Sequence, residues 1–224
     1  MSKKLQFSYW SDPLCIWAFV AQKKLETILE EHGMNLDVDY RIVPIFGSFP
    51  WRFREGPWSS SGVDGRVEGT RRVAAEHGYP EVTGEVWRLD TPASSWSPSL
   101  AIKAVTRLER EEHLPRGSTA SYQWLLRKKF FVDNQNVCHR HMQLLVAEEL
   151  GFERAALEEV MDCGLALADL WEDHHEKERL RLQGSPTFVF DGGRAMLYGN
   201  FSLGVLQATI GELLKGIRPG GTGC

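Results

Sequence analysis

The chain has 224 residues, of which 26 are Lys or Arg and 30 are Asp or Glu, so its formal net charge is −4. The 42% hydrophobic and 25% charged residues are typical of a globular protein of one or two domains, not of a disordered one. A protein with this slightly negative net charge does not attract nucleic acid or an anionic membrane electrostatically. No apolar run approaches the ~20 residues that cross a bilayer. We therefore expect neither as a partner.

The N-terminus and the cysteines indicate in which cellular compartment the protein is located. The opening residues, Met1 to Leu5, run into an alternating stretch instead of an apolar one, so we expect no signal peptide. The four cysteines are too few and too scattered for a disulfide scaffold. Together these features predict a cytoplasmic protein whose thiols are reduced.

The first fifty residues follow a strand, helix, strand pattern. Apolar and polar residues alternate over 5–9, and Pro13 ends that strand. Apolar residues at three- and four-residue spacing over 17–29 predict a helix that ends at Gly33. Alternation returns over 36–43. The connection is long enough for a parallel pair of strands with a right-handed crossover.

Residues 46–97 differ in composition and predict only one helical segment, over 67–77. This stretch is too long for an idle connection in a compact domain, and we interpret it as an excursion over the surface. Its aromatic and basic side chains either wall a substrate groove or anchor a partner, or they cover the helical block. They are Trp51, Trp58, Trp87, Trp96, Arg52, Arg54, Arg66, Arg71 and Arg72.

Helical patterns dominate the next part of the chain, and strands return near its end. Apolar stripes predict helices over 98–108, 122–132, 137–150, 153–161 and 165–182. A hairpin follows, with its strands over 187–190 and 195–198, its turn over 191–193 and a last helix over 203–214.

The predicted fold class is therefore α/β, with the order β-α-β, helical block, β-β-α. Residues 1–46 and 180–218 are predicted to form one domain with a four-stranded mixed sheet and helices on its faces. Residues 47–179 are predicted to be a mostly helical insertion, and residues 219–224 a flexible tail.

Cys15 is the candidate nucleophile. It lies between the first strand and the first helix, where backbone N–H groups and the helix dipole stabilise a thiolate. The alternative is a small buried apolar side chain at a strand–helix junction. The local pattern leaves both interpretations open.

Pro186 precedes the third predicted strand, in the sequence Gly184-Ser185-Pro186-Thr187. An ordinary trans proline is compatible with the first position of a strand. A cis bond would instead expose the backbone of Ser185 for pairing with an extended ligand.

Other clusters of nitrogen, sulfur and acidic side chains predict no metal site. The side chains from Cys138 to His141 point in different directions on a helix, and they lack the i, i+4 spacing of paired metal ligands. His174 and His175 lie among acidic residues that are typical of a solvated helix face. Cys138 and Cys163 are predicted to be buried structural thiols in helices, and Cys224 an exposed thiol on the tail.

Two motifs and their order in the chain resemble a known family. A strand followed by Ser-Asp-Pro-Leu-Cys-x-Trp, a helical insertion, and Gly-Ser-Pro-Thr-Phe before a hairpin resemble the DsbA family, most closely its cytosolic FrnE-like members. That thioredoxin-fold superfamily also includes kappa-class glutathione transferases and 2-hydroxychromene-2-carboxylate isomerases. The resemblance implies a thioredoxin fold, a cis bond before Pro186 and Cys15 as the nucleophile. We expect Ser185 and Pro186 to present backbone to the substrate and Trp17 to cover one side of the site.

The chain departs from this family at two positions. Dithiol members carry Cys-x-x-Cys, whereas here Ala18 replaces the second, resolving cysteine. The resemblance then implies a monothiol mechanism in which glutathione or another low-molecular-weight thiol acts as co-substrate, with no tightly bound cofactor. Kappa-type members carry Ser in place of Cys15 and Ser-Asp to hold the γ-glutamyl group. Asn200, which follows Gly199 here, can hydrogen-bond such a group without offering the same charge.

These features predict a cytoplasmic DsbA-like thiol oxidoreductase that uses Cys15 alone. One alternative is a kappa-type glutathione-dependent transferase or isomerase. Another is a degenerate, non-catalytic thioredoxin-fold binding protein. The predicted partner is a thiol or disulfide substrate, either a small molecule or a protein, and a homodimer is compatible with the sequence.

Overall fold

Two distant stretches of the sequence build one sheet. The computed structural model describes residues 4–216, in which the strands are β1 (Leu5–Ser11), β2 (Leu36–Ile42), β3 (Thr187–Phe190) and β4 (Ala195–Tyr198). Their order is β2-β1-β3-β4. Strand β1 is parallel to β2 and antiparallel to β3, and β3 is antiparallel to β4. The predicted four-stranded mixed sheet is confirmed.

Helices follow each half of the sheet along the chain, and further helices occupy the sequence between the two halves. Most of the helices lie between β2 and β3, so the chain has a thioredoxin fold with a large helical insertion, as predicted. The helices of the described residues are α1 (Ile16–Val20), α2 (Gln22–His32), α3 (Phe49–Arg54), α4 (Gly62–Glu76), α5 (Val86–Leu89), α6 (Trp96–Arg110), α7 (Ser118–Phe131), α8 (Arg140–Glu149), α9 (Arg154–Asp162), α10 (Leu165–Leu180) and α11 (Leu203–Leu214). None of these is long and apolar enough to cross a membrane.

One core lies between the sheet and the pair α2 and α11. Leu25 and Ile28 of α2 are buried with Leu206 and Ile210 of α11 against Phe7 of β1. Each buried Leu, Ile or Phe side chain stabilises the fold by about 1.5–3 kcal/mol. This packing fixes the two helices on one face of the sheet.

A larger core lies between α1 and the insertion. Ile16 and Phe19 of α1 are buried in one cluster with Trp87 of α5 and Phe131 of α7. The rings of Phe19 and Phe131 lie 5.0 Å apart between centroids. The division of the chain into a sheet domain and an insertion remains a prediction, and the two parts share this core.

The segment over residues 46–97 is not the surface excursion that its composition predicted. It contains α3, α4 and α5, of which the apolar pattern indicated only the second half of α4. Phe49 and Trp87 are fully buried, and the Trp58 ring packs against both. These aromatic side chains form core at irregular spacings, which a search for helical periodicity does not detect.

Two further boundaries differ from the prediction. The helix expected over 17–29 is divided at Ala21, although that residue keeps helical backbone angles. The helix expected over 137–150 begins at Arg140, which leaves Cys138 in a turn, its N–H bonded to Asn136 Oδ1 at 3.0 Å. The predicted tail and Cys224 lie outside the described residues.

A buried carboxylate ties the insertion to the sheet. Asp173 of α10 is fully buried and accepts hydrogen bonds from the backbone N of Ile42 (2.8 Å) and from Arg41 Nη1 (3.0 Å). Lys103 Nζ, also buried, lies 2.9 Å from Asp173 Oδ2. Each of these charges is compensated only while its partner is present.

We expect Asp173→Ala to lower the free energy of unfolding by about 3 kcal/mol, because it leaves the Lys103 ammonium buried without a counter-charge. Urea unfolding followed by tryptophan fluorescence measures the loss. The matched control is Glu172→Ala, at the exposed neighbouring position, which should stay within about 0.5 kcal/mol of wild type. Equal losses in both variants would contradict this account.

Candidate active site

Cys15 occupies the N-terminus of α1. Its backbone N donates to the carbonyl of Asp12 (3.2 Å), which closes the turn after β1. Its extended backbone angles (φ −85°, ψ 115°) are those of a helix N-cap, and Phe19 N donates to its carbonyl at 3.0 Å. The residue is 3% exposed. The strand–turn–helix setting that the sequence predicted for this cysteine is confirmed.

The loop before β3 faces Cys15. The Ser185–Pro186 peptide bond is cis, as the resemblance implies. Cys15 Sγ donates to the carbonyl oxygen of Ser185 at 3.3 Å, across 170 positions of sequence. Asp12 N donates to Ser185 Oγ at 2.8 Å, and Gly199 N donates to the carbonyl of Pro186 at 2.8 Å. The fold therefore brings the two predicted motifs into contact.

Ala18 stands where a second thiol would lie, and it is fully buried within α1. Other described thiols are held by the insertion. Cys138 is half-buried and its sulfur lies 3.1 Å from the carbonyl of Ser94. Cys163 is exposed, so the prediction of a buried thiol is wrong there, because it follows the last turn of α9 and does not lie on the packed face of that helix.

Burial governs the acidity of Cys15. It raises the pKa of the thiol above its ordinary value, and the negative charge of Asp12 raises it further. Hydrogen bonds from the Ser185 side chain and from the backbone N–H groups of Trp17 and Ala18 act in the opposite direction but are outweighed. The sequence predicted that the start of the helix stabilises a thiolate and so lowers the pKa of Cys15. That prediction is wrong, because the loss of hydration on burial outweighs the stabilisation by the start of α1.

Asp12 is a buried carboxyl that the sequence analysis did not single out. Its Oδ1 accepts from Leu14 N (2.7 Å), and its Oδ2 accepts from Ile45 N (2.8 Å) and Ser95 Oγ (2.6 Å). Burial raises the pKa of Asp12 to about 6 despite these hydrogen bonds. The carboxyl is therefore charged at pH 7, close to Cys15. The signal that could have revealed it is the turn-forming Asp-Pro just before the cysteine.

A buried cation supports this turn from the insertion. Arg127 of α7 donates to Ser11 Oγ (2.7 Å), and it lies 3.4 Å from the carbonyl of Asp12. Its charge lowers the pKa of the Asp12 carboxyl, which opposes the effect of burial. The insertion thus sets part of the electrostatic environment of the site.

A cleft of about 300 Å³ opens beside Ser185. Trp17 is 41% exposed there, and its ring meets the ring of His77 edge-on, with centroids 5.6 Å apart. The cleft is lined by Trp17, Ser185, Tyr198, Gly199 and Asn200. The structure therefore places every predicted site residue in or next to one cleft, while their roles stay predictions.

Asn200 is held by a lysine that the sequence analysis missed. Lys24 Nζ of α2 donates to Asn200 Oδ1 at 2.6 Å and to the carbonyl of Phe201 at 2.8 Å. The signal was the spacing of Lys24 seven residues after Trp17, which puts both on one side of a nearly continuous helix. A cation thus lies at the edge of the cleft.

Two arginines of residues 46–97, Arg52 and Arg66, lie against aromatic rings. The Arg66 guanidinium carbon lies 4.5 Å from the ring centroid of Trp58 and 4.6 Å from that of Trp87. Arg52 stacks on Trp58 (5.2 Å) and donates to the carbonyl of Ile45 at 2.8 Å. This cation–π packing agrees with the interpretation in which these residues cover the helical block.

The histidine clusters make local pairs. His139 Nε2 lies 2.9 Å from Asp90 Oδ2, and the His139 ring stacks on His141. The ring of His175 stacks on Trp171 with centroids 5.2 Å apart. Over residues 4–216, no group of three or more His, Cys, Asp or Glu side chains is placed to hold a metal ion.

The sheet order, the helical block between β2 and β3, and a cysteine that meets a cis-proline loop together define a thioredoxin-fold protein. The model of the DSBA-like thioredoxin domain family matches residues 6–211. The chain therefore belongs to the DSBA-like thioredoxin domain family, whose members generally act on thiols or disulfides.

Solved structures share this fold. Cytosolic disulfide reductase DsbM from Pseudomonas aeruginosa matches with a TM-score of 0.70 and 21% identity over 94% of this chain and 99% of its own. DsbM with GSH gives a TM-score of 0.67 and 21% identity over 96% and 100% of the two chains. A 2-hydroxychromene-2-carboxylate isomerase gives 0.67 and 19% identity over 94% and 97%. At these identities the likeness is one of fold.

A curated relative also matches in sequence. ClpXP adapter protein SpxH from Halalkalibacterium halodurans is 26% identical over 195 residues. The match covers 84% of this chain but 59% of SpxH. This chain therefore spans less than two thirds of that relative's length.

We expect Asp12→Asn to lower the pKa of Cys15, because it removes the charge that opposes thiolate formation at the sulfur. The rate of iodoacetamide labelling at Cys15, measured against pH by peptide mass spectrometry, reports this pKa. Glu26→Gln, an equal charge change at an exposed site on α2, is the control and should leave the profile in place. An Asp12→Asn profile that moves to higher pH would contradict the electrostatic account.

Proposed function

We propose that the protein is a thiol–disulfide oxidoreductase that uses Cys15 as its single nucleophile. The observation that carries the proposal is the 3.3 Å contact between Cys15 Sγ and the Ser185 carbonyl, beside an open cleft. A disulfide bound in this cleft reaches the sulfur while its backbone lies along the loop of Ser185 and Pro186. Trp17 covers one side of the bound group, and Asn200 offers it a polar contact.

The chemistry is disulfide exchange. Cys15 loses its proton to water, and the thiolate attacks one sulfur of the substrate disulfide. The substrate S–S bond breaks, its second sulfur leaves as a thiolate and takes up a proton, and Cys15 is left in a mixed disulfide. A thiol from solution then attacks the substrate sulfur of that mixed disulfide and releases Cys15.

The second thiol comes from outside because Ala18 supplies no sulfur. Glutathione, or another low-molecular-weight thiol of the cytoplasm, is the co-substrate in this proposal. The GSH complex of DsbM supports such a role within the same fold. The cytoplasmic location follows from the need for a reduced thiol pool.

A glutathione-dependent isomerase or transferase is the second candidate. The observation that favours it is the buried position of Cys15, whose S–H donates to the Ser185 carbonyl as a hydroxyl would. In that reaction a thiol is used without net oxidation. The fold shared with 2-hydroxychromene-2-carboxylate isomerase agrees with this candidate.

A binding protein is the third candidate. The absence of a second sulfur at Ala18 and the sequence match to SpxH, named as a ClpXP adapter, favour it. In that case Cys15 is dispensable for function.

We expect oxidised glutathione to form a mixed disulfide at Cys15. The measurement is the intact mass of a protein that carries Cys163→Ser and Cys224→Ser. These changes remove the exposed thiol of Cys163 and the thiol of Cys224, which lies outside the described residues. Because burial raises the pKa of Cys15, the rate should still be rising with pH beyond the ~8.5 of a free thiol. The Cys15→Ser variant of this background is the control, and an adduct that persists in it would refute the assignment.

We expect Ala18→Cys to restore an internal resolving step. A new sulfur three residues after Cys15 has the Cys-x-x-Cys spacing, so it displaces glutathione and leaves an intramolecular disulfide. The intact mass should show no glutathione adduct and should be two hydrogens below that of the reduced variant. Ala18→Ser, of nearly equal size at the same buried position, is the control and should keep the adduct. Persistence of the adduct in Ala18→Cys would contradict the geometry.

A further inference from the structure

The ammonium of Lys24 is held at the edge of the Cys15 cleft by neutral oxygens alone. It donates to Asn200 Oδ1 (2.6 Å) and to the Phe201 carbonyl (2.8 Å). A lysine ammonium has three donors, so one remains for another acceptor. The side chain is half-buried, and burial lowers the pKa of Lys24.

No acidic side chain compensates this charge. In the part of the chain that the structure describes, Lys24 makes no ion pair, unlike Lys103 and Lys129, which each contact a carboxylate. A partly desolvated cation that lacks a protein counter-ion favours an anion from solution.

No acidic side chain of residues 4–216 lines the space on either side of Lys24, and Lys23 lines one of the two sides. A second pocket of about 190 Å³ adjoins it and is lined by Val20, Lys23, Lys24, Thr27, His77, Tyr79 and Leu203. Neither this pocket nor the cleft has Asp or Glu among its described lining residues. The second pocket is next to the cleft, because its lining residues Lys24 and His77 contact Asn200 and Trp17 of the cleft.

The two pockets together have the size of a small ligand, not of a folded partner. A thiol or disulfide bound with its sulfur at Cys15 extends past Asn200 toward Lys24. An anionic group at that end gains a charge-assisted hydrogen bond, whereas a cationic group meets a like charge.

We propose that Lys24 binds a carboxylate of the substrate and thereby makes the Cys15 cleft selective for carboxylate-bearing low-molecular-weight thiols and disulfides. This inference rests on the proposed function and names the substrate class of the same site. The exchange reaction is unchanged, and Lys24 takes no part in bond making. It is a specificity-determining residue.

The test compares three small disulfides that differ in terminal charge. They are 3,3′-dithiodipropionate, which is anionic, bis(2-hydroxyethyl) disulfide, which is neutral, and cystamine, which is cationic. Mixed-disulfide formation at Cys15 is followed by intact mass for wild type and Lys24→Gln, both with Cys163 and Cys224 replaced by Ser. The rate ratio of variant to wild type for each probe cancels the intrinsic reactivity of that disulfide.

We expect Lys24→Gln to slow the reaction with dithiodipropionate by about tenfold and to leave the neutral probe within about twofold. The cationic probe should react faster in the variant. Lys24→Arg, which keeps the charge, should retain most of the anionic rate. Lys4→Gln makes the same charge change at an exposed site before β1, at the far end of the strand from Cys15, and should alter none of the three rates.

Equal effects of Lys24→Gln on all three probes would overturn the inference and leave the proposed function standing. If Cys15 reacts with no disulfide, the proposed function is wrong. The carboxylate site is then tested by calorimetry with S-methylglutathione, whose alkylated sulfur cannot take part in disulfide exchange. Binding to wild type that is lost in Lys24→Gln supports the site. Binding that is absent, or equal in both proteins, overturns it.

Discussion

Four segments of the chain meet at the buried residue Asp12. Its carboxylate oxygens accept from Leu14 N just before α1, from Ile45 N just after β2 and from Ser95 Oγ of the insertion, while its backbone N donates to Ser185 Oγ. Every segment that surrounds the cysteine is thereby hydrogen-bonded to one buried residue. The position of the sulfur relative to the cis-proline loop depends on this group, because a shift of any segment breaks a bond to it.

The same carboxyl that organises the site works against its nucleophile. A charge at Asp12 raises the pKa of the thiol, and burial raises it more. The site therefore holds its sulfur as a neutral donor to the Ser185 carbonyl. A neutral resting thiol resists indiscriminate oxidation, and its reactivity depends on how a bound substrate changes the hydration and the hydrogen bonds of the sulfur.

Much of the fold and the location of the site could be predicted from the sequence, since both depend on local patterns. The alternating strands, the glycine that ends the second helix and the two motifs at Cys15 and Pro186 suffice for the sheet and its facing loop. The acidity of Cys15 could not be predicted, because it depends first on burial by distant parts of the chain, such as the Ser185 loop 170 positions away. Lys24 was missed for a similar reason, since its partner Asn200 comes 176 positions later.

The core shared by α1 and the insertion has a consequence for how this protein unfolds. Phe19, close to Cys15 in sequence, packs on Tyr79, Trp124 and Phe131, which all belong to the insertion. Removing the insertion would expose one whole face of the first helix to water. We therefore expect the two parts, although they are separate along the chain, to unfold as a single cooperative unit, with Cys15 at the boundary between them.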